Sequence, residues 1–579
     1  MKIIVRQLLG SVLHHRRASD IWVSTVTINV LALASSFYSI HLLNRYVTIG
    51  LTPTLVTLTL GVIFAIGFEV FMRKQRQQVL LSIAKDGEEE TSRRVFQGLA
   101  RARFEPLSLL PLPLKREAMS APAMQQQMAS ISNLGAILDL PFAILFLLGA
   151  MLLYWPLGLF GVGMSAGALW LGYLNERSQR QAAEDHAKAS SKSQQLGQFL
   201  LSAGEAVRCL PLQAPLAKRW QAVGAASLGS RRDGMVIQSD LQSRIQLLGQ
   251  VLTVLVYSVG AMAVVKGDFT TGGLIGANIL VSRAFASCSR TAYLSESILR
   301  AQRAEDALRQ IEALEQEASD GNGVAPAKLQ GQLELVDVAF SYPQQPVPLF
   351  ERLDIQIKPG QITVVAGPNG SGKSSLIKLM LGLLSPKRGL VRADGIELRQ
   401  LSQEWWRSHI GYAPQEPVFF DGSLRENLFL DRDVSDDEVL ELIKAMGLET
   451  FLASDPAGLD RQIVGQETGM AVGLRRRFVL IRAVLGGAPV IFMDDPTEGL
   501  DQAGQAAVAK LLNRLATQGK TLVVASNEPF ILRAADWVVD MGQKPTPKVV
   551  AVKREESVPE DKPSGEATGG PALLLGATS

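Results

Sequence analysis

Apolar residues fall in paired long runs over the first half of the chain. The first run covers roughly 21–43 (IWVSTVTINVLALASSFYSIHLL) and the second roughly 53–72 (PTLVTLTLGVIFAIGFEVFM). The third and fourth, roughly 134–155 and 157–174, flank a turn at Trp155–Pro156. The fifth and sixth, roughly 246–265 and 272–290, flank Lys266, Gly267 and Asp268. About 20 apolar residues in a helix cross a bilayer core, so the pattern predicts six transmembrane helices in three hairpins. The sixth is the most polar, with Ser282, Arg283 and Ser287.

The stretches between hairpins, roughly 73–133 and 175–245, are polar with helical character. They predict helices that leave the membrane and turn back near 103–118 and 209–217, where prolines break them. Arg73, Lys74 and Arg76 follow the second run, and Arg177 and Arg180 follow the fourth. The connections 44–52 and 266–271 carry little charge. Basic residues stay on the cytoplasmic side, so the N-terminus and both long stretches are expected there. The first span follows Lys2, Arg6, Arg16 and Arg17 and is followed by more spans, which predicts a retained helix rather than a cleaved signal.

A charged helical run, 291–317, leaves the sixth span, and Ser319–Pro326 reads as a linker. From about 332 to 545 short β-rich runs alternate with helical patterns, as in an α/β domain. The expected division is a cytoplasmic N-terminal segment (1–20), a transmembrane domain (21–303), a helix extension and linker (304–331), an α/β domain (332–545) and a disordered tail (546–579) rich in Pro, Gly and charge.

Composition agrees with membrane residence. The 579 residues are 47% hydrophobic and 20% charged, with mean hydropathy +0.15. A net charge of +3 gives no reason to invoke a nucleic-acid partner. Cys209 and Cys288 lie far apart and in no metal-ligand spacing, and the five histidines are unclustered.

Residues 367–374 read GPNGSGKS, between an apolar β run (Ile362–Ala366) and a helical run from Ser375. A glycine-rich loop between strand and helix, ending in Lys-Ser, cradles phosphates. Gly367, Gly370 and Gly372 let backbone N–H groups point inward, while Pro368, Asn369 and Ser371 complete the loop. The helix N-terminus adds its dipole. Lys373 is expected to reach the β/γ-phosphates and Ser374 to hold Mg²⁺. Downstream, the apolar strand Val490–Met493 ends in Asp494, placed to bind Mg²⁺ directly or through water.

In this order the motifs resemble the nucleotide-binding domain of ABC transporters. Tyr342 in VAFSYP resembles the aromatic that stacks on adenine. Gln415 in IGYAPQEPVFFDGSLRENL resembles the glutamine that senses Mg²⁺ and the membrane domain. GLD at 499–501 resembles the loop that crosses the dimer interface. DLPFAILFLL (139–148) and GDFTTGGLIGANILVSRA (267–284) are similar to the membrane half of type I secretion exporters. The resemblance implies an all-α six-helix membrane domain of the type 1 ABC exporter kind, followed by an α/β P-loop NTPase (ABC) domain. It implies ATP and Mg²⁺ as cofactors, with Tyr342, residues 367–375 including Ser375, Gln415 and Asp494 at the nucleotide, and Ser374, Gln415 and Asp494 at the metal. It also implies a second ABC half as partner, a membrane setting in the bacterial inner membrane with the ATP-binding domain cytoplasmic, and a periplasmic adaptor and outer-membrane channel. The cargo so implied is protein or peptide.

Three positions depart from the family. The signature LSGGQ aligns with Met470–Leu474, a match anchored by the following Arg475–Arg477 against RQR and by Arg482–Ala483. Ala471 lacks the hydroxyl, and Val472 puts a branched side chain where backbone should approach phosphate. The catalytic glutamate is Asp495, about 1.5 Å shorter in reach; a misplacement of about 1 Å can cost roughly 10²-fold in rate. The switch histidine is Asn527, which hydrogen-bonds but holds no charge. With the phosphate loop intact, the three together predict a site that binds ATP and hydrolyses it poorly. Three readings stay open: an ATP-driven exporter subunit, an impaired regulatory half that pairs with a competent one, and a membrane ATP sensor or scaffold.

Overall fold

A helix begun in an apolar run continues wherever its 3.6-residue period does, so a membrane boundary does not end it. The computed structural model describes residues 10, 13, 15–48, 50, 52–317, 323–343, 345, 347–430, 432, 434–464 and 469–552. The chain divides into two compact units: Met1–Ala102 with Pro106–Gln316, and Arg103–Glu105 with Glu317–Ser579.

The first unit is helical. Helices α1 (Ala18–Leu31) and α2 (Ala34–His41) are followed by a π-helical turn, Leu42–Val47. Helix α3 (Thr52–Arg101) runs unbroken for 50 residues. Short helices α4 (Leu112–Met119), α5 (Ala121–Met128), α6 (Ile131–Asp139) and α7 (Phe142–Leu153) follow. Then come α8 (Trp155–Ser202), α9 (Gln213–Val265), α10 (Thr271–Ala292) and α11 (Ser295–Glu312). Among the described residues, four stretches are long and apolar enough to cross a membrane: Ala18–Val47, Thr52–Arg101, Trp155–Ser202 and Gln213–Val265. The pair α6–α7, bent by 44°, makes a fifth if taken as one span. Helix α10 covers the sixth expected run, whose polar residues keep it outside that group.

The long polar stretches do continue the membrane helices. The second turn lies between Ser202 and Gln213. The first stretch differs from a simple helical return. Pro111 and Pro141 precede α4 and α7, and Pro113 and Pro122 sit in the first turns of α4 and α5. Each lacks an N–H and clashes with a preceding turn, so the return breaks into short helices.

Two polar clusters pin this unit. Arg76 on α3 meets Asp139 at the end of α6 at 2.7 Å, both side chains buried. Asn29 on α1 donates to the same carboxylate at 3.2 Å. A buried ion pair is tolerated only with such added hydrogen bonds. Arg94 on α3 forks to Glu305 and Glu312 on α11.

The second unit is an α/β domain. A six-stranded sheet has the order β12-β11-β3-β10-β9-β6, formed by β3 (Ile362–Ala366), β6 (Ile410–Ala413), β9 (Val490–Asp494), β10 (Thr521–Ala525), β11 (Trp537–Asp540) and β12 (Lys548–Ala551). Its pairs are parallel except β11–β12, and a separate two-stranded ribbon pairs β7 (Gly422–Ser423) antiparallel with β8 (Gln462–Ile463). A four-stranded antiparallel sheet, β2-β1-β4-β5, is built from β1 (Leu333–Phe340), β2 (Phe350–Ile357), β4 (Arg388–Ala393) and β5 (Ile396–Glu397). Strands β3, β9 and β10 are buried on both faces, which is why they read as unbroken apolar runs. One core, with Phe340, Phe350, Leu376 and Phe492, joins the two sheets. The other packs Phe478, Val479 and Leu512 under the parallel sheet. Strand β12 corrects the expected tail, because residues 548–551 pair with β11 instead of being disordered. Residues 553–579, most of the N-terminal segment before His15, and linker residues 319–322 lie outside the described residues.

Candidate nucleotide-binding site

The phosphate loop joins β3 to helix α12 (Lys373–Met380). Gly367, Gly370 and Gly372 all have positive φ, at 144°, 78° and 110°. Space also excludes a side chain at two of them. A Cβ on Gly367 would lie 2.9 Å from Ser371 Oγ, and one on Gly372 would lie 2.7 Å from Leu349 Cδ2. The loop therefore demands glycine at both by conformation and by volume.

Inside it, Lys373 is buried and its Nζ donates to Gly367 O at 2.9 Å. Ser371 Oγ is buried with no hydrogen-bond partner, as is Oδ1 of Asp494 at the end of β9. Buried polar atoms are almost always paired. Two orphans in one loop-and-strand cluster are the mark of a site built for a polar ligand. Ser374 hydrogen-bonds the Asp494 carboxylate. A hydroxyl and a carboxylate are hard oxygen donors, so this pair fits Mg²⁺. Burial pushes Asp494 above the ordinary carboxylate value, while Ser374 and the charges of Lys378 and Lys373 oppose it. The same surroundings raise the Tyr412 phenol on β6 to about 12, burial first and the Asp494 charge second.

The other expected residues cluster around this core. Tyr342 shares a hydrogen bond with Ser375 at 2.8 Å and stands edge-on to Phe340, which sets its ring beside α12. Asn369 and Pro368 lie in the loop; Pro368 O accepts from Ser371 N. Gln415, after β6, donates through Nε2 to Glu498 at 3.3 Å.

The positions expected to depart from the family pattern have specific surroundings. Asp495 has φ +47°, a left-handed conformation that Asp tolerates better than most residues. Its N–H donates to Ala525 O, and burial raises its carboxyl above the ordinary value. Asn527 uses both ends of its amide on one loop residue: Nδ2 donates to Gly367 O and Oδ1 accepts from Gly367 N–H, each at 2.9 Å. It clamps the mouth of the loop. Ala471 caps helix α13 (Val472–Val484) with no side-chain hydrogen bond, and Val472 is half exposed. Asp501 of the GLD run caps helix α14 (Gln502–Thr517) through Gly504 N–H and pairs with Arg477.

Two residues escaped the sequence reading. Glu498 and Arg476 meet each other and Gln415. Glu498 is visible in DDPTEGLD as a third acid beside Asp494 and Asp495, but no motif logic singled it out.

Phosphate loop, Mg²⁺-suited acid and two-sheet scaffold define an ATP-binding cassette, here fused to a helical membrane domain. Residues 350–498 match the ABC transporter family. Over its length the chain is similar to the type I secretion system ATP-binding protein PrsD of Rhizobium meliloti, 24% identical over 90% of this chain and 89% of that protein. It is 28% identical to the ATP-dependent lipid A-core flippase of Thiobacillus denitrificans, over about half of each chain (51% and 51%). In fold it is similar to a bacterial Atm1-family ABC exporter with ATP bound, with TM-score 0.80, 17% identity, and 91% and 94% of the two chains covered. The chain is a multi-pass membrane protein with the fold of an ABC exporter, whose cassette binds ATP.

Proposed function

We propose that the chain is one half of an exporter dimer in a bacterial inner membrane, with its cassette in the cytoplasm, moving protein or peptide cargo by ATP-driven alternating access. The observation that carries the nucleotide part is the glycine-demanding loop with buried, unpartnered Ser371 Oγ and Asp494 Oδ1. Lys373 exchanges Gly367 O for phosphate oxygens, and the N–H groups at the start of α12 donate to those oxygens. Ser374, Asp494 and Gln415 would hold Mg²⁺, which would supply positive charge against the phosphates. Tyr342 presents its ring to the adenine. The overall match to a type I secretion ATP-binding protein supports polypeptide cargo, and with it a periplasmic adaptor and outer-membrane channel.

The second reading is a regulatory half that binds ATP and hydrolyses it slowly beside a competent partner. Asp495 and Asn527 favour it, because Asn527 is already engaged with Gly367 and carries no charge. ATPase measurement on the purified chain, alone and with a candidate partner half, tests both. Turnover at the rate of ordinary exporters by the chain alone would remove the regulatory reading. No activity either alone or with a partner, despite ATP binding, would remove the ATP-driven exporter.

A further inference from the structure

The loop after β9 carries a carboxylate for which the nucleotide reading has no task. Glu498 N–H donates to Asp495 O at 3.3 Å, so the two residues share one turn. Its Oε2 accepts from Gln415 Nε2 at 3.3 Å and from Arg476 Nη2 at 3.2 Å. The same Arg476 nitrogen donates to the backbone O of Gln415 at 2.6 Å. Arg476 is buried in α13, whereas the Glu498 side chain is 57% exposed. One fixed guanidinium thus holds both the backbone of Gln415 and the acid that meets its side chain.

This arrangement decides which way the Gln415 amide points. A carboxylate only accepts hydrogen bonds, so the NH₂ end of the amide must face Glu498. The carbonyl end, Oε1, is then left for another partner. An amide carbonyl oxygen is a ligand that Mg²⁺ accepts, and an amide nitrogen is not.

We propose that Glu498 is a positioning residue that, held by Arg476, orients the Gln415 side chain so that Oε1 is presented to the Mg²⁺–nucleotide site. This rests on the reading of Gln415 and Asp494 as metal-site residues. It gives the run DDPTEGLD a third acidic function, separate from the metal-binding and water-orienting positions.

The test uses the full-length chain in detergent and a fluorescent ATP analogue, titrated with Mg²⁺ and separately in EDTA. Neighbouring groups in one network couple strongly enough that Glu498→Ala should raise the half-saturating Mg²⁺ concentration about three- to tenfold. Nucleotide affinity in EDTA should not change. In a Gln415→Ala background the Glu498 substitution should add nothing, because the side chain it orients is gone. Glu498→Leu, similar in size and unable to accept a hydrogen bond, should show the same defect and serves if the alanine variant folds poorly. An unchanged Mg²⁺ midpoint in Glu498→Leu, or an equal shift with and without Gln415, overturns the proposal. Failure of the unmodified chain to bind nucleotide at any Mg²⁺ concentration would instead overturn the nucleotide reading on which it rests.

Discussion

Two helix N-termini in the second unit invite comparison. Helix α12 starts behind three glycines of positive φ, with Lys373 buried at its first position. Helix α13 starts behind Ala471, which makes no capping side-chain bond, and presents half-exposed Val472. Both ends carry the same kind of helix dipole. They differ in what surrounds the dipole: a backbone free to curl and orphaned polar atoms at α12, a methyl and an isopropyl group at α13. A dipole alone does not make a phosphate site; the groups that let phosphate approach it do.

The comparison breaks most sharply if Lys373 is dispensable. A hydrogen bond to a charged group contributes about 1.5–3 kcal/mol, so Lys373→Ala should weaken ATP binding roughly 10- to 100-fold. Calorimetric titration of both chains measures it. Equal affinities would mean that α12 is not the phosphate site.

The second test bears on hydrolysis at Asp495 and Asn527. Asp495→Glu with Asn527→His restores the longer carboxylate and a side chain able to carry charge. Turnover, read as phosphate release at saturating ATP, should rise about tenfold or more, within the roughly 10² that a 1 Å misplacement can cost. No rise would leave Ala471 and Val472 as the limiting positions, or the αL backbone at Asp495 as incompatible with the longer side chain.

The third concerns pH. Burial holds Asp494 above its ordinary value of 3.8, so the folded chain binds that proton more tightly than the unfolded chain. Without Mg²⁺, stability should then fall as pH rises from the ordinary value through the raised one. Asp495 is shifted the same way and adds to the slope. Asp494→Asn should flatten part of it, and Mg²⁺ should oppose it in the unmodified chain only. Melting curves followed by tryptophan fluorescence between pH 4 and 7 measure the slope. An unmodified chain that gains stability with rising pH, with Asp494→Asn removing that gain, would show that the carboxylate is not held above its ordinary value.

How much of this was legible differs by range along the chain. The loop 367–374 was readable because its glycine requirement is local: three positions are set by their own positive φ. The helices of the first unit were readable from run length, and prolines marked where the first return breaks. The Asn527–Gly367 clamp was not readable, since its members are 160 residues apart and Asn carries no motif that names its partner. The Glu498–Gln415 contact spans 83 residues and depends on how β6 and β9 lie side by side. Strand β12 was missed because a four-residue run, Lys548–Ala551, is too short to stand out from a charged, proline-rich tail; it is held by pairing with β11.

The smallest expected effect sharpens the contrast at α13. The first four N–H groups of a helix have no partner within it, and a serine at the cap position satisfies one of them. Ala471 occupies that position with φ −57° and ψ 145°, an extended conformation that a capping serine also adopts. Ala471→Ser therefore needs no backbone change, and should stabilise the helix by about 1 kcal/mol. In a single chain it should leave ATP affinity where it was, because phosphate is held at α12. Once two halves associate, the hydroxyl sits at the N-terminus that would face the other half's nucleotide, and only then should affinity respond. Melting temperature and ATP titration, each done on dilute and on assembled protein, separate the two effects. A gain in ATP affinity in the dilute single chain would mean that α13 helps bind the chain's own nucleotide, and the distinction drawn between the two helix ends would fall.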